Sequence, residues 1–294
     1  MPMINVEGLG LHYQQLGRLA PDGRDLVLVH GLAADLAFWY LGAAPYLAAA
    51  GGDRITMYDL RGHGLSGTAD HGYTTAALAR ELLALLDRLR LRRTVLIGHS
   101  YGAAIALHAA VLNPPRVAGV VIADGYLPCF ERGRGRRDDR RAARTIRALQ
   151  RRGLAVPDNL PRVAYGLIDD LVAVPSPGPM PSQLAIRRWE ALRTSTTAVP
   201  DIAVRSLSRQ KLRSDPIRRM PLLAVYGDRT PCHSSLQGLQ QVRPDVQLAR
   251  ITGAGHLHPY RQPRVFAERV RPFLDQLQTV RPGPPANPVV MSHG

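Results

Sequence analysis

The sequence has little cysteine, almost no lysine and no long apolar run. Its 294 residues include two cysteines, Cys129 and Cys232, which are too few for a disulfide scaffold and are expected to be inert small apolar side chains. No stretch reaches the roughly 18–20 apolar residues that a membrane span needs, and the first residues do not resemble a secretory signal. These absences predict a cytoplasmic protein without a membrane partner.

The charge of the sequence is strongly positive because arginine is abundant. Its 38 lysine and arginine residues, of which only Lys211 is a lysine, oppose 23 acidic residues, and the formal net charge is +15. An excess of this kind is typical of proteins that bind polyanions. Here the arginines are spread along the chain and aromatic residues make up only 5%. The composition therefore favours a solvated basic surface and no nucleic-acid partner.

Strand and helix patterns alternate along much of the chain, after a predicted hairpin at 3–7 and 11–15. The runs that predict strands lie at 25–30, 54–58, 94–97, 117–123, 221–226 and 246–251, and those at 25–30 and 94–97 predict strands buried on both faces. The segments with helical periodicity lie at 36–50, 74–91, 101–112 and 263–278. This alternation predicts an α/β fold, with a mostly parallel central sheet flanked by helices.

A segment of different character interrupts this pattern. Residues 125–215 have no strong strand signal, and several prolines break their helix-like stretches. We expect them to form a helical cap, inserted after the sixth strand, over a core made of residues 1–124 and 216–280. The arginine-rich run at 132–152 predicts either a solvated basic face or a docking face for an acidic carrier. The Pro-rich residues 281–294 predict a disordered tail.

A short motif indicates a nucleophile. The segment Gly98-His99-Ser100-Tyr101-Gly102 fits G-x-S-x-G and lies between a predicted buried strand and a predicted helix. In that context the serine occupies the tip of a sharp, strained turn, and the two glycines remove Cβ atoms that would collide across it. The first N–H groups of the following helix favour a developing oxyanion.

Three further motifs accompany this one. His30-Gly31 ends one strand, the segment 59–66 (DLRGHGLS) follows the next, and the segment 253–256 (GAGH) follows the last. In this order and spacing, residues 1–280 resemble the α/β-hydrolase superfamily in its capped, single-chain form. The resemblance implies the α/β-hydrolase fold and a serine hydrolase that cleaves an ester, lactone or thioester through an acyl-enzyme.

The resemblance also implies roles for individual residues. Ser100 matches the nucleophile, and His256 matches the general base that takes the serine proton and later activates water. Backbone N–H groups of Leu32 and Tyr101 would form the oxyanion hole. We expect no cofactor, and no metal site, because paired His and Cys spacings are absent from the sequence.

The sequence departs from the family pattern at the triad acid. Many members carry an aspartate after the strand equivalent to 221–226, where this chain has Thr230. We favour Asp124 as the acid, because it ends the strand before the cap, a rigid position that some branches of the family use. Asp228, two residues before the usual position, is the alternative. Because the nucleophile position holds Ser100 rather than aspartate, epoxide-hydrolase and haloalkane-dehalogenase chemistry is not expected.

Other histidines are expected to have structural roles. His30 and His63 should shape loops near the site, and His99 should pack beside the nucleophile. His258, two residues beyond His256, is a weaker candidate for the base.

The motifs do not identify the substrate. Four aromatic residues are candidates for an apolar pocket under the cap, or for packing the cap onto the core: Tyr126, Phe130, Tyr165 and Trp189. The expected partner is a small-molecule acyl substrate, with an acyl carrier or a CoA thioester as an alternative donor. The sequence leaves open whether the protein forms a homodimer. Two other functions also stay open: a C–C hydrolase, lyase or cyclase in natural-product biosynthesis with the same pocket, and a non-catalytic receptor or scaffold with the same fold.

Overall fold

A computed structural model of the chain describes residues 1–32, 34–69, 71–130, 147 and 207–277. Most of the segment predicted as a cap (125–215) and all of the predicted tail (281–294) lie outside the described residues, so both assignments stay predictions. No helix in the described ranges is long and apolar enough to cross a lipid bilayer.

An eight-stranded sheet forms the centre of the fold. The strands are β1 (Met3–Val6), β2 (Leu9–Leu16), β3 (Asp25–Val29), β4 (Arg54–Tyr58), β5 (Thr94–His99), β6 (Val117–Ala123), β7 (Leu222–Gly227) and β8 (Gln247–Ile251). Their spatial order is β1-β2-β4-β3-β5-β6-β7-β8. The β1–β2 and β2–β4 pairs are antiparallel and all the others are parallel, which confirms the predicted hairpin and mostly parallel sheet.

Helices cover both faces of this sheet. Numbered within the described residues, they are α1 (Ala37–Tyr40), α2 (Ala44–Ala49), α3 (Thr75–Arg88), α4 (Tyr101–Leu112), α5 (Arg209–Leu212), α6 (Asp215–Arg218), α7 (His233–Val242), α8 (His258–Arg261) and α9 (Pro263–Gln276). Because successive side chains of a strand point to opposite faces, each central strand contributes to two cores. In β3, Val27 and Val29 pack in the core that includes α3 and α4, whereas Leu26 and Leu28 pack with α2 and α9.

The helix predicted at 36–50 is two short helices, α1 and α2. The break falls at residues 41–43, and Pro45 lies in the first turn of α2. Proline lacks an N–H and fits a first turn, where the N–H has no helical acceptor, but it disrupts a helix interior. A continuous helix over this stretch was therefore the wrong prediction, and Pro45 was the signal against it.

Gly102 brings α4 into direct contact with the end of β3. A Cβ atom here would collide with the backbone oxygens of Val29 and His30, which cannot move independently of the sheet. We therefore expect Gly102→Ala to lower the free energy of unfolding by about 1–3 kcal/mol, measured by chemical denaturation. Gly255→Ala is the matched control, since its Cβ would meet no described atom within 4 Å. Equal losses in the two variants would contradict this account.

Candidate active site

Ser100 occupies the turn between β5 and α4 in a strained backbone conformation. Its φ is 53° and its ψ is −121°, a combination that residues other than glycine rarely adopt. The Ser100 N–H donates to the Ala123 carbonyl at 3.1 Å, and the Ser100 carbonyl accepts from the Tyr126 N–H at 3.0 Å. A Cβ on Gly98 would collide with the Gly102 backbone. This tight turn therefore requires glycine at position 98. The structure thus has the sharp turn that the motif predicts.

Asp124 and His256 form the central contact of the site. Asp124 follows β6 with a φ of 46° and is fully buried. Its Oδ2 lies 2.6 Å from Nδ1 of His256. A carboxylate at this distance favours the tautomer in which Nδ1–H donates to it and Nε2 keeps its lone pair. His256 Nε2 and Ser100 Oγ are both buried, and neither has a hydrogen-bond partner among the described residues.

Thr230 supports the Asp124 carboxylate from the position where the family pattern has the acid. Its hydroxyl donates to Asp124 Oδ2 at 2.7 Å and accepts from the Cys232 N–H at 2.9 Å. The Gly227 N–H donates to Asp124 Oδ1 at 3.3 Å. These donors satisfy a carboxylate that would otherwise be costly to bury. The sequence patterns predicted no role for Thr230, because they indicated only that the expected aspartate is absent from this position.

Asp228, the alternative acid, hydrogen-bonds to the turn at Gly253 and not to the imidazole of His256. The residue is exposed, and its Oδ2 accepts from the Gly253 N–H at 2.9 Å. This bond ties the turn before His256 to the end of β7. Of the two candidate acids, only Asp124 contacts His256 in the part of the chain that the structure describes.

His99 holds the loop that carries His256. Its Nε2–H donates to the His256 carbonyl oxygen at 2.9 Å, and its ring stacks on Phe38 with centroids 4.4 Å apart. The His99 and His256 rings are 4.7 Å apart, which places the general-base candidate beside the residue that precedes Ser100. Burial lowers the pKa of His99 well below its usual range, and the neighbouring His256 lowers it further, so His99 stays neutral.

His258 approaches the same carboxylate but does not bond it. Its Nε2 is 3.9 Å from Asp124 Oδ1, which exceeds hydrogen-bond distance. Burial lowers the pKa of His258 to about 4, against the opposing effect of Asp124. His258 is therefore uncharged at neutral pH, and His256 is the imidazole that contacts the acid.

The loop after β3 brings Gly31, the residue before Leu32, close to Ser100. The His30 Nδ1–H donates to the Gly31 carbonyl at 2.8 Å, while His30 Nε2 accepts from the Leu60 N–H at 3.0 Å. The carbonyl and the following N–H of a trans peptide point in opposite directions, so the first bond turns the Leu32 N–H away from His30. A Cβ on Gly31 would lie 2.9 Å from Ser100 Cβ, which shows how near this peptide is to the serine.

Tyr101 provides the second amide of the predicted oxyanion hole. It is the first residue of α4, so its N–H points out of the N-terminal end of the helix. Its side chain is buried, and the hydroxyl donates to the Tyr73 carbonyl at 3.0 Å, which fixes the start of the helix. The Tyr101 N–H, next to Ser100, therefore lies at the positive, N-terminal end of the dipole of α4.

The DLRGHGLS segment anchors loops around the site. The Asp59 carboxylate accepts from the Leu36 N–H at 2.7 Å and from the Leu65 N–H at 2.8 Å. The His63 Nδ1–H donates to the Arg61 carbonyl at 2.9 Å, and burial lowers the pKa of His63 to about 4. His63 thus makes the loop contacts expected from the sequence.

The predicted pocket residues fall into two groups. Tyr126 and Phe130 are both buried. Phe130 lies against α7, where a Cβ on Gly238 would overlap its ring. Tyr165 and Trp189 lie outside the described residues. A pocket under the cap therefore stays a prediction.

Cys232 is a second residue that lies closer to the site than the sequence patterns predicted. It was expected to be an inert apolar side chain, but its Sγ lies 3.8 Å from His256 Nδ1. It is buried, like the imidazole beside it. Its position two residues after Thr230, in the loop where the family places the acid, was the signal that it faces the site.

Comparisons with known proteins agree with this architecture. A model of the "Alpha/beta hydrolase family" matches residues 26–269. "Putative carbamate hydrolase RutD" of Variovorax paradoxus (strain S110) is 37% identical over 117 residues, which are 40% of this chain and 42% of that protein. N-formylmaleamate deformylase of Pseudomonas putida (strain KT2440) is 26% identical over 92% of this chain and 95% of its own length.

A solved structure shares the fold across most of the chain. The enol-lactonase from Burkholderia xenovorans LB400 superposes with a TM-score of 0.66 and 23% identity, covering 94% of this chain and all of that protein. The family model spans all of the sheet except the N-terminal hairpin, and it includes Ser100, Asp124 and His256. The chain therefore belongs to the α/β-hydrolase family.

Proposed function

We propose that the protein is a serine hydrolase that cleaves an ester, lactone or thioester through an acyl-enzyme. Ser100 is the nucleophile, His256 the general base and Asp124 the acid. The observation that carries this proposal is the buried 2.6 Å contact between Asp124 and His256 Nδ1, which leaves Nε2 with its lone pair and no hydrogen-bond partner among the described residues. The Ser100 hydroxyl, at its strained turn, is also buried without a described partner. Catalysis of this kind needs a basic nitrogen near a hydroxyl, with a carboxylate on the opposite nitrogen.

The reaction begins at the Ser100 hydroxyl. Its proton passes to His256 Nε2 as Oγ bonds to the acyl carbon, and the carbonyl electron pair moves onto the carbonyl oxygen. Asp124 stabilises the resulting imidazolium, and the N–H groups of Leu32 and Tyr101 donate to the oxyanion. The Oγ–Nε2 hydrogen bond is expected to form when substrate binds, since such bonds tighten in the complex.

The second half of the reaction releases the acyl group. His256 returns its proton to the leaving oxygen or sulfur, the carbon–heteroatom bond breaks, and the acyl group stays on Ser100. A water molecule then gives a proton to His256 as its oxygen bonds to the acyl carbon. The bond from that carbon to Oγ breaks and His256 returns the proton to Oγ, which yields the acid and restores the serine. Every step uses groups that the described residues supply.

A second candidate is hydrolysis of the acyl carbon–nitrogen bond of a small amide or carbamate. The relative that aligns over 92% of this chain is named a deformylase, and the 117-residue match has a name that refers to carbamate. The same three residues fit this reaction, with His256 protonating a leaving nitrogen. No described contact favours C–C hydrolysis, lyase or cyclase chemistry.

A fluorophosphonate probe tests whether Ser100 is an activated nucleophile. We expect stoichiometric labelling of the folded wild type and none of Ser100→Ala, measured by the mass of the intact protein. The heat-unfolded wild type is the control and should not react, because activation requires the folded site. A folded wild type that does not react would instead favour the non-catalytic receptor or scaffold.

Three substitutions test the assignment of the acid. Asp124→Asn should reduce kcat for p-nitrophenyl acetate by about 10⁴-fold, because the amide no longer selects the productive imidazole tautomer. Thr230→Val should cost about 10- to 100-fold, the usual effect of one hydrogen bond to a charged group. Asp228→Asn is the matched control, with kcat close to the wild-type value. A larger loss in Asp228→Asn than in Asp124→Asn would reverse the assignment.

A matched pair of substrates separates the two candidate reactions. p-Nitrophenyl acetate and p-nitroacetanilide carry the same acyl group and differ in the leaving atom, oxygen or nitrogen. We expect a higher kcat/KM for the ester and no turnover of either compound by Ser100→Ala. Comparable turnover of the anilide, or of a small formamide, would favour carbon–nitrogen cleavage.

A further inference from the structure

Asp124, Cys232 and His256 place three metal-binding atoms in one buried cluster. A carboxylate oxygen, Cys232 Sγ and His256 Nδ1 all lie within 4.8 Å of one another. Sγ is 3.8 Å from Nδ1, and Nδ1 is 2.6 Å from Asp124 Oδ2. The three residues are 0%, 2% and 3% exposed. These three residues are termed the Asp-Cys-His cluster.

The cluster offers the ligand types that zinc prefers. Zinc binds thiolate sulfur, imidazole nitrogen and carboxylate oxygen at about 2.0–2.3 Å, so two ligands of a tetrahedral ion are roughly 3.4–3.6 Å apart. The 3.8 Å between Sγ and Nδ1 is close to this value. The 2.6 Å between Nδ1 and Oδ2 has to lengthen by roughly 0.8 Å, because a hydrogen bond now joins the two atoms.

Thr230 holds two of the three ligands in place. Its hydroxyl donates to the Asp124 carboxylate and accepts from the Cys232 N–H. Outer contacts of this kind orient metal ligands and strengthen binding. A cavity of about 290 Å³ lies along the loop that carries His256, and it is lined by residues 253–258, Arg261 and Gln262.

We propose that a thiophilic divalent cation such as Zn²⁺ binds the Asp-Cys-His cluster and reversibly inactivates the enzyme. Binding follows from the ligand geometry alone, whereas inactivation rests on the proposed hydrolase function. The ion bonds to the Nδ1 lone pair, and the ring proton moves from Nδ1 to Nε2. The Cys232 thiol loses its proton to solvent, and water completes the coordination. Nε2–H then has no lone pair with which to accept the Ser100 proton.

Cobalt(II) reports on the thiolate directly. Co²⁺ bound to a thiolate absorbs in the near ultraviolet by charge transfer from sulfur, and Zn²⁺ displaces Co²⁺ from most sites of this kind. Titration of the full-length wild type should give this absorption with one ion per chain, and Zn²⁺ should remove it. Cys129→Ser is the matched control and should behave like the wild type, because Cys129 is only partly buried and lies outside the cluster. Cys232→Ser should lack the absorption.

The same variants connect binding to activity. Zn²⁺ should inhibit hydrolysis of p-nitrophenyl acetate by the wild type and by Cys129→Ser, and a chelator should restore the rate. In Cys232→Ser, the zinc concentration for half-inhibition, relative to that variant's own rate, should rise about tenfold or more. Cys232→Ala repeats the test if the serine variant does not fold, as judged by circular dichroism.

Several outcomes would overturn the proposal. They are no charge-transfer absorption in the wild type, absorption that survives in Cys232→Ser or is lost in Cys129→Ser, and zinc binding without inhibition of an active enzyme. A wild type that shows the cobalt absorption but hydrolyses no substrate and ignores the fluorophosphonate probe would support the metal site and reject the proposed hydrolase. The two proposals can therefore fail separately.

Discussion

Two neighbouring strands end in residues that are forced into positive φ angles, and the arrangement of the site depends on this constraint. Ser100 follows β5 with a φ of 53°, and Asp124 follows β6 with a φ of 46°. The strands are paired in parallel up to His99 and Ala123, so the hydrogen-bonded ladder sets the distance between the two residues. Each such conformation costs about 1–3 kcal/mol, and the surrounding buried sheet offsets that cost.

His256 reaches these strand ends from a loop, and contacts to its ring and to the backbone hold that loop. Asp124 bonds the imidazole, His99 bonds the backbone carbonyl, and Asp228 bonds the Gly253 amide at the start of the turn. The first contact orients the ring and the other two restrain the backbone that carries it. Because loops are the most mobile parts of a fold, a loop residue proposed to act on a strand-end hydroxyl needs restraint of both kinds.

Local patterns in the sequence were sufficient for the sheet and for the strained serine. Apolar runs predicted six strands within a few residues, and G-x-S-x-G predicted the turn at Ser100, because both depend on neighbours in the chain. The choice of Asp124 over Asp228 used the rigidity of a strand end, and the structure brings Asp124 to His256. The hydroxyl of Thr230 could not be assigned in this way, since no motif pairs a threonine at this position with the carboxylate of Asp124, 106 residues away. Only the folded chain shows that these two residues meet.

The position of the carboxylate has a consequence for how relatives of this chain are classified. A search for the triad acid only after the seventh strand would classify this sequence as an inactive member of the family. In this chain that position holds Thr230, whose hydroxyl donates to Asp124 at the end of the neighbouring strand β6. If the proposed triad is correct, homologues with a hydroxyl there and an aspartate after the sixth strand carry a relocated carboxylate, not a missing one.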